Sequence, residues 1–280
     1  MIPTGSRPAR RGFGGGRLII AAIVAIVSII TYYSQRSSNP VTGEVQHVDL
    51  SPQQEVALGL QAAPEMAQQH GGLHPDAEAQ AVVDRVGRRI VERSAARESP
   101  YQYEFHVLAD EDMINAFALP GGQVFITAGL LKRMQTEGQL AGVLGHEIGH
   151  VVARHGAEHL AKARLTQGLT GAAVLATYDP ENPASRNSAA VAALIGNLVN
   201  MRFGRNDELE SDKLGVRFTA EADYDPRAML EVMRVLAESA SGPRPPEFFS
   251  THPNPERRVE RIQAAIAEVF PNGVPEELED

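Results

Sequence analysis

The chain contains the pentapeptide His146-Glu147-Ile148-Gly149-His150 within a stretch whose apolar residues recur at helical spacing. Residues four apart share one face of a helix, so the two imidazoles can direct nitrogens at one metal ion. Glu147 stands beside them, where its carboxylate can accept a proton from a metal-bound water. With only 9 histidines in 280 residues, chance would give this pattern about 0.02 times per chain. We therefore predict a catalytic site with one zinc ion per chain.

A catalytic zinc is usually held by three protein ligands, and a fourth position is left for water. The metzincin class would have a histidine at position 156 and a glycine at 153; Gly156 and Ala153 exclude that class. Glu158 and His159 follow on the same predicted helix, two or more turns along its axis, and are expected to point elsewhere. Glu181 lies in a predicted loop.

Glu208 is a further candidate for the third ligand. It stands near the start of a predicted helix, with Asp212 one turn later on the same face. This spacing suits one carboxylate on zinc and a second that accepts the N–H of a ligating histidine and fixes its tautomer. The alternative is an ordinary acidic first turn, comprising Asp207, Glu208 and Glu210, which the helix dipole favours. The spacing alone leaves both interpretations open.

The remaining periodicity predicts an α+β fold, mainly helical with one small β-sheet. Alternation typical of strands is found at Tyr103–Ala109, Asn115–Leu119 and Gln123–Thr127. Residues 120–122, Pro-Gly-Gly, are typical of a hairpin turn between the last two strands. Helical spacing is found at 51–69, 76–96, 136–164, 187–202, 205–221, 226–240 and 255–269.

The first fifty residues predict a membrane segment. A basic tail, 1–17, precedes an uncharged apolar stretch, 18–33, and a polar linker, 34–50. The apolar stretch is shorter than the roughly 20 residues that span a bilayer, but a flanking arginine can snorkel. A removed secretory signal is the alternative to an uncleaved signal-anchor; we favour the anchor because no clear cleavage site follows. The arginines before it place the N-terminus in the cytoplasm and the rest of the chain outside.

Composition excludes several function classes. The net charge is −9, and this acidic excess argues against a nucleic-acid partner, which needs clustered lysine and arginine. The absence of cysteine excludes disulfides, thiolate metal ligands and a cysteine nucleophile. The last ten residues, 271–280, form a predicted acidic C-terminal tail after a domain that we place at 51–270.

Four stretches together resemble one known family, the membrane-linked zinc endopeptidases related to the CAAX prenyl protease. That group includes the bacterial heat-shock membrane protease and periplasmic metallopeptidases of outer-membrane quality control. The resemblance covers about residues 51 to 270. The stretches are, in chain order, NAFALPGGQVFITAGLL (115–131), HEIGHVVARH (146–155), ELESDKLG (208–215) and THP (251–253).

The resemblance implies a zincin-type metalloprotease domain. It implies that His146, His150 and Glu208 ligate zinc, that Glu147 is the base, and that Asp212 supports a ligating histidine. In family members with several membrane spans, the region between the zinc helix and the ligating glutamate is embedded in the membrane. Here its apolar runs are too short to span a bilayer, so the periplasmic branch is the better match.

Two further positions are expected near the site. Asn115, Ala116 and Phe117 begin a strand that can offer its edge to an extended substrate, although an ordinary core strand is the alternative. His252 precedes a proline in a predicted loop. It could stabilise an oxyanion or, as the resemblance implies for a related histidine, occupy the open position on zinc; a plain surface histidine is the alternative.

Four other residues are assigned by pattern alone. Arg257 and Arg258 are predicted on a solvated helix face, although one of them could hold a carboxylate near the site. His155 stands four residues before His159, and the pair is predicted on the far part of the zinc helix rather than as metal ligands.

The sequence therefore predicts a zinc-dependent endopeptidase that acts on misfolded or misassembled envelope proteins. It would be anchored to the cytoplasmic membrane, with its catalytic domain on the periplasmic side, or be soluble there after signal cleavage. Its partners would be protein or peptide substrates and the membrane. The alternative is a chaperone or assembly factor that binds envelope proteins in the same cleft and cuts rarely. Glu147 favours the enzyme, because a pure binder has no need of a base beside a metal.

Overall fold

The structure is a computed structural model that describes residues 14–177, 203–240, 246–253 and 257–280. The predicted helix at 187–202 and the predicted loop with Glu181 lie outside these ranges. Most of the predicted helices are found within a few residues of their expected limits. The helices are α1 (Gly14–Ser34), α2 (Pro52–Gln69), α3 (Ala77–Arg93), α4 (Ala128–Leu131), α5 (Glu137–Val152), α6 (His155–Thr177), α7 (Arg205–Glu221), α8 (Ala228–Ala240), α9 (Phe248–Thr251) and α10 (Arg258–Val269).

A three-stranded sheet lies against the helices. The order is β3-β5-β4, with β3 parallel and β4 antiparallel to the central strand. Every residue of that central strand is buried. The predicted hairpin joins β4 and β5, and Gly121 and Gly122 adopt φ values of 87° and 105° that favour glycine. The strands are β3 (Glu104–Leu108), β4 (Ala116–Leu119) and β5 (Gln123–Thr127).

The prediction of a single long helix at 136–164 is wrong. Helix α5 ends at Val152 and α6 begins at His155. Between them Arg154 has a φ of 58°, a left-handed conformation that costs a non-glycine residue roughly 1–2 kcal/mol. Its guanidinium bonds the buried Glu55 carboxylate, with Nε 2.9 Å from Oε1, and the Leu50 carbonyl oxygen at 2.7 Å. These partners lie about a hundred residues away, so the local pattern gives no sign of the break.

The N-terminal helix α1 is the one helix among the described residues that is long and apolar enough to cross a membrane. It packs along α6, where Gly168 lies against Ser28 with no room for a side chain. Its leucine, isoleucine and valine side chains are mostly exposed. The chain therefore presents an apolar helix that is attached to the body through α6.

The segment 34–50, predicted as a polar linker, contains a second small sheet. Strands β1 (Arg36–Ser38) and β2 (Val45–His47) pair antiparallel. Asn39 Nδ2 donates to the Val152 carbonyl at 2.7 Å, and the Gln46 amide donates to the Ala153 carbonyl. This hairpin therefore ties α1 to the end of α5.

The acidic segment 271–280 lies against the body. Glu279 forms a parallel bridge with Tyr224, and its carboxylate pairs with Arg89 on α3. The carbonyl oxygen of Glu279 also accepts from the Asp225 backbone N–H at 2.8 Å. The end of the chain thus links α3 to the turn after α7.

Candidate metal centre

Helix α5 supplies two histidines that face each other. Thr136 caps its N-terminus by accepting from the Gln139 backbone N–H, and all residues from Gly138 to Val152 are buried. His146 Nε2 and His150 Nε2 lie 3.1 Å apart. The predicted placement of both imidazoles on one helical face is found.

Glycines allow α7 to approach the zinc helix closely. A Cβ added to Gly215 would lie 3.0 Å from the backbone nitrogen of His146, and one added to Gly149 would lie 3.1 Å from the Ser211 carbonyl oxygen. These separations are tighter than ordinary packing, so a side chain at either point would require the neighbouring backbone to shift. The close approach of the two backbones brings the first turns of α7 to the histidines.

Glu208 is the carboxylate that α7 delivers. Its Oε2 lies 3.6 Å from His146 Nε2, and its Oε1 lies 3.4 Å from His150 Nε2. The residue is fully buried. Burial opposes its ionisation, but the neighbouring imidazoles of His252 and His150 outweigh that effect and hold the pKa of Glu208 below its ordinary value.

His252 completes the group from the segment after α9. Its Nδ1 lies 3.0 Å from Glu208 Oε1 and 3.4 Å from His146 Nε2. One donor atom from each of His146, His150, Glu208 and His252 lies within 4.8 Å of the others. His252 is fully buried, so the interpretation of a plain surface histidine is wrong.

The donor atoms of this cluster fit a zinc ion. Two or three imidazole nitrogens with one carboxylate are a typical zinc ligand set. His146 and His150 direct ring nitrogens at each other across 3.1 Å, and Glu208 Oε2 is buried without a hydrogen-bond partner among the described residues. A cation at this point would satisfy the lone pairs that converge there.

Glu147 lies beside the cluster with a free carboxylate. The residue is fully buried, and both carboxylate oxygens lack a hydrogen-bond partner within the described ranges. Its Oε1 lies 3.6 Å from His252 Nε2. Burial raises the pKa of Glu147 above its ordinary value, against the opposing effect of the His252 and His146 imidazoles. A raised pKa favours uptake of a proton by this carboxylate.

Asp212 lies behind His146, in contact with its ring. Its Oδ1 is 2.9 Å from His146 Nδ1, the ring nitrogen that faces away from the cluster. Arg258 also binds this carboxylate, and its Nη1 lies 3.3 Å from Glu208 Oε2. The prediction that Arg258 lies on a solvated face is wrong, since it is 2% exposed; its neighbour Arg257 is exposed and pairs with Glu260.

His155 and His159 lie on α6, not on the far part of the zinc helix. His155 Nδ1 is 2.9 Å from His150 Nδ1, a contact that the helical spacing did not predict. His159 Nε2 is 2.7 Å from Asp207 Oδ2, and Asp207 also accepts from the Gly204 backbone N–H. The acidic first turn of α7 therefore caps the helix as well as carrying Glu208.

Glu158, the other candidate that we expected to point elsewhere, lies apart from the cluster. It forms an ion pair with Lys162 along α6. No carboxylate of α6 within the described residues joins the metal group. The structure therefore brings Glu208, not Glu158, to the histidines.

The strand proposed for substrate contact is an edge strand. Ala116 and Phe117 lie in β4, which pairs on one side only with β5. Asn115 precedes the strand, and its Oδ1 accepts from Thr251 Oγ1 at 3.4 Å. The Phe117 ring stacks on Phe125, in an apolar cluster that packs against α2.

The chain matches a known protein family over more than half of its length. The family model described as "Peptidase family M48" matches residues 77–266. The chain belongs to peptidase family M48. This assignment confirms the predicted resemblance and the mainly helical α+β metalloprotease fold. Metalloproteases of family M48 use zinc, which agrees with the donor set described above.

The chain is similar to proteases from bacteria and mitochondria. The chain is 33% identical over 188 residues to the "Beta-barrel assembly-enhancing protease" of Escherichia coli, covering 63% of this chain and 37% of that protein. It is 30% identical over 246 residues to the "Mitochondrial metalloendopeptidase OMA1" of Schizosaccharomyces pombe, covering 85% of this chain and 69% of that protein. The chain thus spans well under half the length of its bacterial relative.

Proposed function

We propose that this M48 protein is a zinc-dependent endopeptidase that hydrolyses misfolded or misassembled envelope proteins. One observation carries the proposal: His146, His150 and Glu208 converge from two helices beside the buried carboxylate of Glu147, which accepts no hydrogen bond from the described residues. Zinc, when bound, supplies a Lewis acid that polarises the scissile carbonyl and activates water. We assign the three converging side chains as its ligands.

Glu147 acts as the general base in this proposal. Its carboxylate accepts a proton from the attacking water and passes it to the leaving amide nitrogen. Complete burial keeps it free of competing hydrogen bonds, and its raised pKa brings proton uptake closer to neutral pH. Asp212 supports the reaction indirectly, because its contact with His146 Nδ1 fixes the ring orientation.

An extended peptide would bind along the free edge of β4. Edge strands recognise extended chains through main-chain hydrogen bonds, which give little sequence preference and suit unfolded substrates. A small cavity between this strand and α5 is lined by Ala118, Leu119, His150 and Phe203. Asn115, Ala116 and Phe117 would contribute backbone groups, because the Phe117 ring packs in the apolar cluster against α2.

His252 would occupy, with zinc bound, the position that substrate or water needs. Its Nδ1 contacts both Glu208 and His146, which favours a role at the open coordination position of zinc over a role as an oxyanion donor. In this arrangement the cleft is closed. Displacement of the segment that carries His252 would open it.

We place the protease on the periplasmic side of the cytoplasmic membrane, held by α1. The helix is apolar and exposed along its length, and arginines 7, 10, 11 and 17 precede its apolar core. Tyr32 and Tyr33 at its other end contact His47, and such aromatic side chains suit the membrane interface. The hairpin that follows is tied to the zinc helix, so the cleft stays near the membrane.

The experiment is a zinc-dependent degradation assay on unfolded envelope proteins, with wild type compared with Glu147→Gln. We expect the variant to keep its zinc and lose cleavage by at least about 100-fold, because the base is gone. Glu221→Gln, at the far end of α7, is the matched control and should cleave normally. Cleavage by Glu147→Gln at the wild-type rate would contradict the proposal.

The same variant separates the enzyme from a chaperone or assembly factor. A client that is rescued in cells by Glu147→Gln as well as by wild type would favour the binding function. Rescue that requires Glu147 would favour proteolysis. Glu147→Gln thus distinguishes proteolysis from client binding.

A further inference from the structure

The second zinc histidine has a histidine partner on its outer side. His150 directs Nε2 into the cluster, and its other ring nitrogen, Nδ1, lies 2.9 Å from His155 Nδ1. His155 is buried, and its own Nε2 lies 3.3 Å from Glu210 Oε2. Ser211 Oγ is 3.4 Å from His155 Nδ1. A chain of polar contacts thus leads from the metal cluster to a carboxylate on α7.

The ligand role of His150 determines which ring nitrogens of His150 and His155 carry protons. A neutral imidazole carries a proton on one nitrogen and a lone pair on the other. If His150 offers its Nε2 lone pair to a metal, its proton is on Nδ1. His155 Nδ1 must then accept that proton's hydrogen bond, so the proton of His155 is on Nε2 and points at Glu210.

We propose that His155 is a positioning residue for metal binding: it accepts a hydrogen bond from His150 Nδ1 and donates one to Glu210, which fixes the ligating tautomer and ring orientation of His150. This inference rests on the proposed function, because it takes His150 as a zinc ligand. His146 has the corresponding contact with Asp212. Each zinc histidine therefore has its own outer partner, one a carboxylate and the other a neutral imidazole.

The break between α5 and α6 makes this contact possible. Residues five apart on a continuous helix point about 140° away from each other, so His155 would face away from His150. The left-handed Arg154 turns the chain and places His155 against the ring. Glu55 and the Leu50 carbonyl hold the Arg154 side chain. The backbone strain at Arg154 is thus located beside the site that it shapes.

The test measures zinc affinity in the full-length chain in detergent, by competition with a chromophoric chelator. His155→Leu removes the acceptor and His155→Gln keeps an amide that can accept and donate. His106→Leu is the control, since His106 pairs with Gln123 on the sheet, outside the cluster. We expect His155→Leu to weaken zinc binding about 10- to 100-fold, with the glutamine variant restoring most of it and the control unchanged.

Two outcomes of that titration overturn the inference. One is a His155→Leu protein that is folded and binds zinc like wild type. The other is equal weakening in His155→Leu and His155→Gln, which would indicate packing rather than hydrogen bonding. A wild-type chain that binds no zinc would overturn the proposed function itself, and the inference with it.

A second measurement needs no disruptive variant. Histidine ¹⁵N NMR of the zinc-loaded wild-type protein reports which ring nitrogen carries the proton. The His155 signals are assigned by their loss in His155→Gln. We expect a neutral His155 with its proton on Nε2. A His155 ring protonated on Nδ1 would overturn the inference even if His155→Leu fails to fold.

Discussion

Arg258 binds Asp212 through two parallel hydrogen bonds, from Nε to Oδ2 at 2.7 Å and from Nη2 to Oδ1 at 2.8 Å. Both residues are buried. The same Asp212 carboxylate faces His146 Nδ1, so the guanidinium fixes the group that orients a zinc histidine. The planar guanidinium of an arginine can donate to both oxygens of a carboxylate at once, whereas the ammonium group of a lysine lacks this geometry.

Arg258→Met should therefore destabilise the protein and weaken zinc binding. The change leaves the Asp212 and Glu208 carboxylates buried without the guanidinium that both contact, and breaking a buried pair costs about 3–5 kcal/mol. Arg257→Met is the matched control, because its side chain is 75% exposed and should change stability by less than about 0.5 kcal/mol. Thermal unfolding and zinc content are measured for both variants. Equal stability of the two variants would contradict this role of Arg258.

Asp212 should contribute stability only above acidic pH. Burial opposes its ionisation, but Arg258 and His146 outweigh that effect and lower the pKa of Asp212. A carboxylate whose pKa is lowered by folding stabilises the protein above its unfolded pKa, about 3.9, and this contribution is lost as the pH falls further. We expect zinc-free Asp212→Asn to be less stable than wild type at pH 7, with the difference shrinking below about pH 4. A difference that stays constant down to pH 3 would contradict the pairing.

A branched side chain at position 215 should disturb the packing of α7 against α5. A Cβ there would meet the backbone of His146 at 3.0 Å and the carbonyl carbon of Gly145 at 3.2 Å. Gly215→Val should push α7 from α5, cost about 1–3 kcal/mol, and lower zinc affinity by moving Glu208. Lys213→Val, an exposed substitution on the same helix, is the control for the helix propensity of valine. Wild-type zinc affinity in Gly215→Val would refute this reason for the close packing.

His252→Ala should open the cleft that the His252 side chain blocks. Three ligands remain for zinc, and the position that His252 blocks becomes available to water and substrate. We expect zinc to be retained and the initial rate of peptide hydrolysis to rise several-fold. A fall in kcat with unchanged zinc content would instead assign His252 to stabilisation of the oxyanion.

Those parts of the fold and site that depend on local spacing were predictable from the sequence. The paired histidines are four apart on one helix, and the strand hairpin has its own turn signal, so both could be predicted. Glu208 could be named only as one candidate among several until the family resemblance was added. Its approach depends on Gly215 packing against α5, which is a contact between distant segments.

The parts that were missed depend on tertiary contacts. The helix break at Arg154 is fixed by Glu55 from α2, and no local residue signals it. Arg258 follows another arginine in a charged stretch, and only the packing of α10 against α7 decides which of the two is buried. His155 could have been suspected from its place five residues after His150, but only the break brings their rings together.

The most direct test of the central claim is the zinc content of Glu208→Ala. Metal analysis of the purified wild-type chain should find about one zinc per chain, falling sharply in Glu208→Ala because two imidazoles alone hold the ion weakly. Glu221→Ala, with the same substitution on the same helix, should keep its zinc. Unchanged zinc in a folded Glu208→Ala protein would show that the third ligand is not Glu208 and would contradict the account.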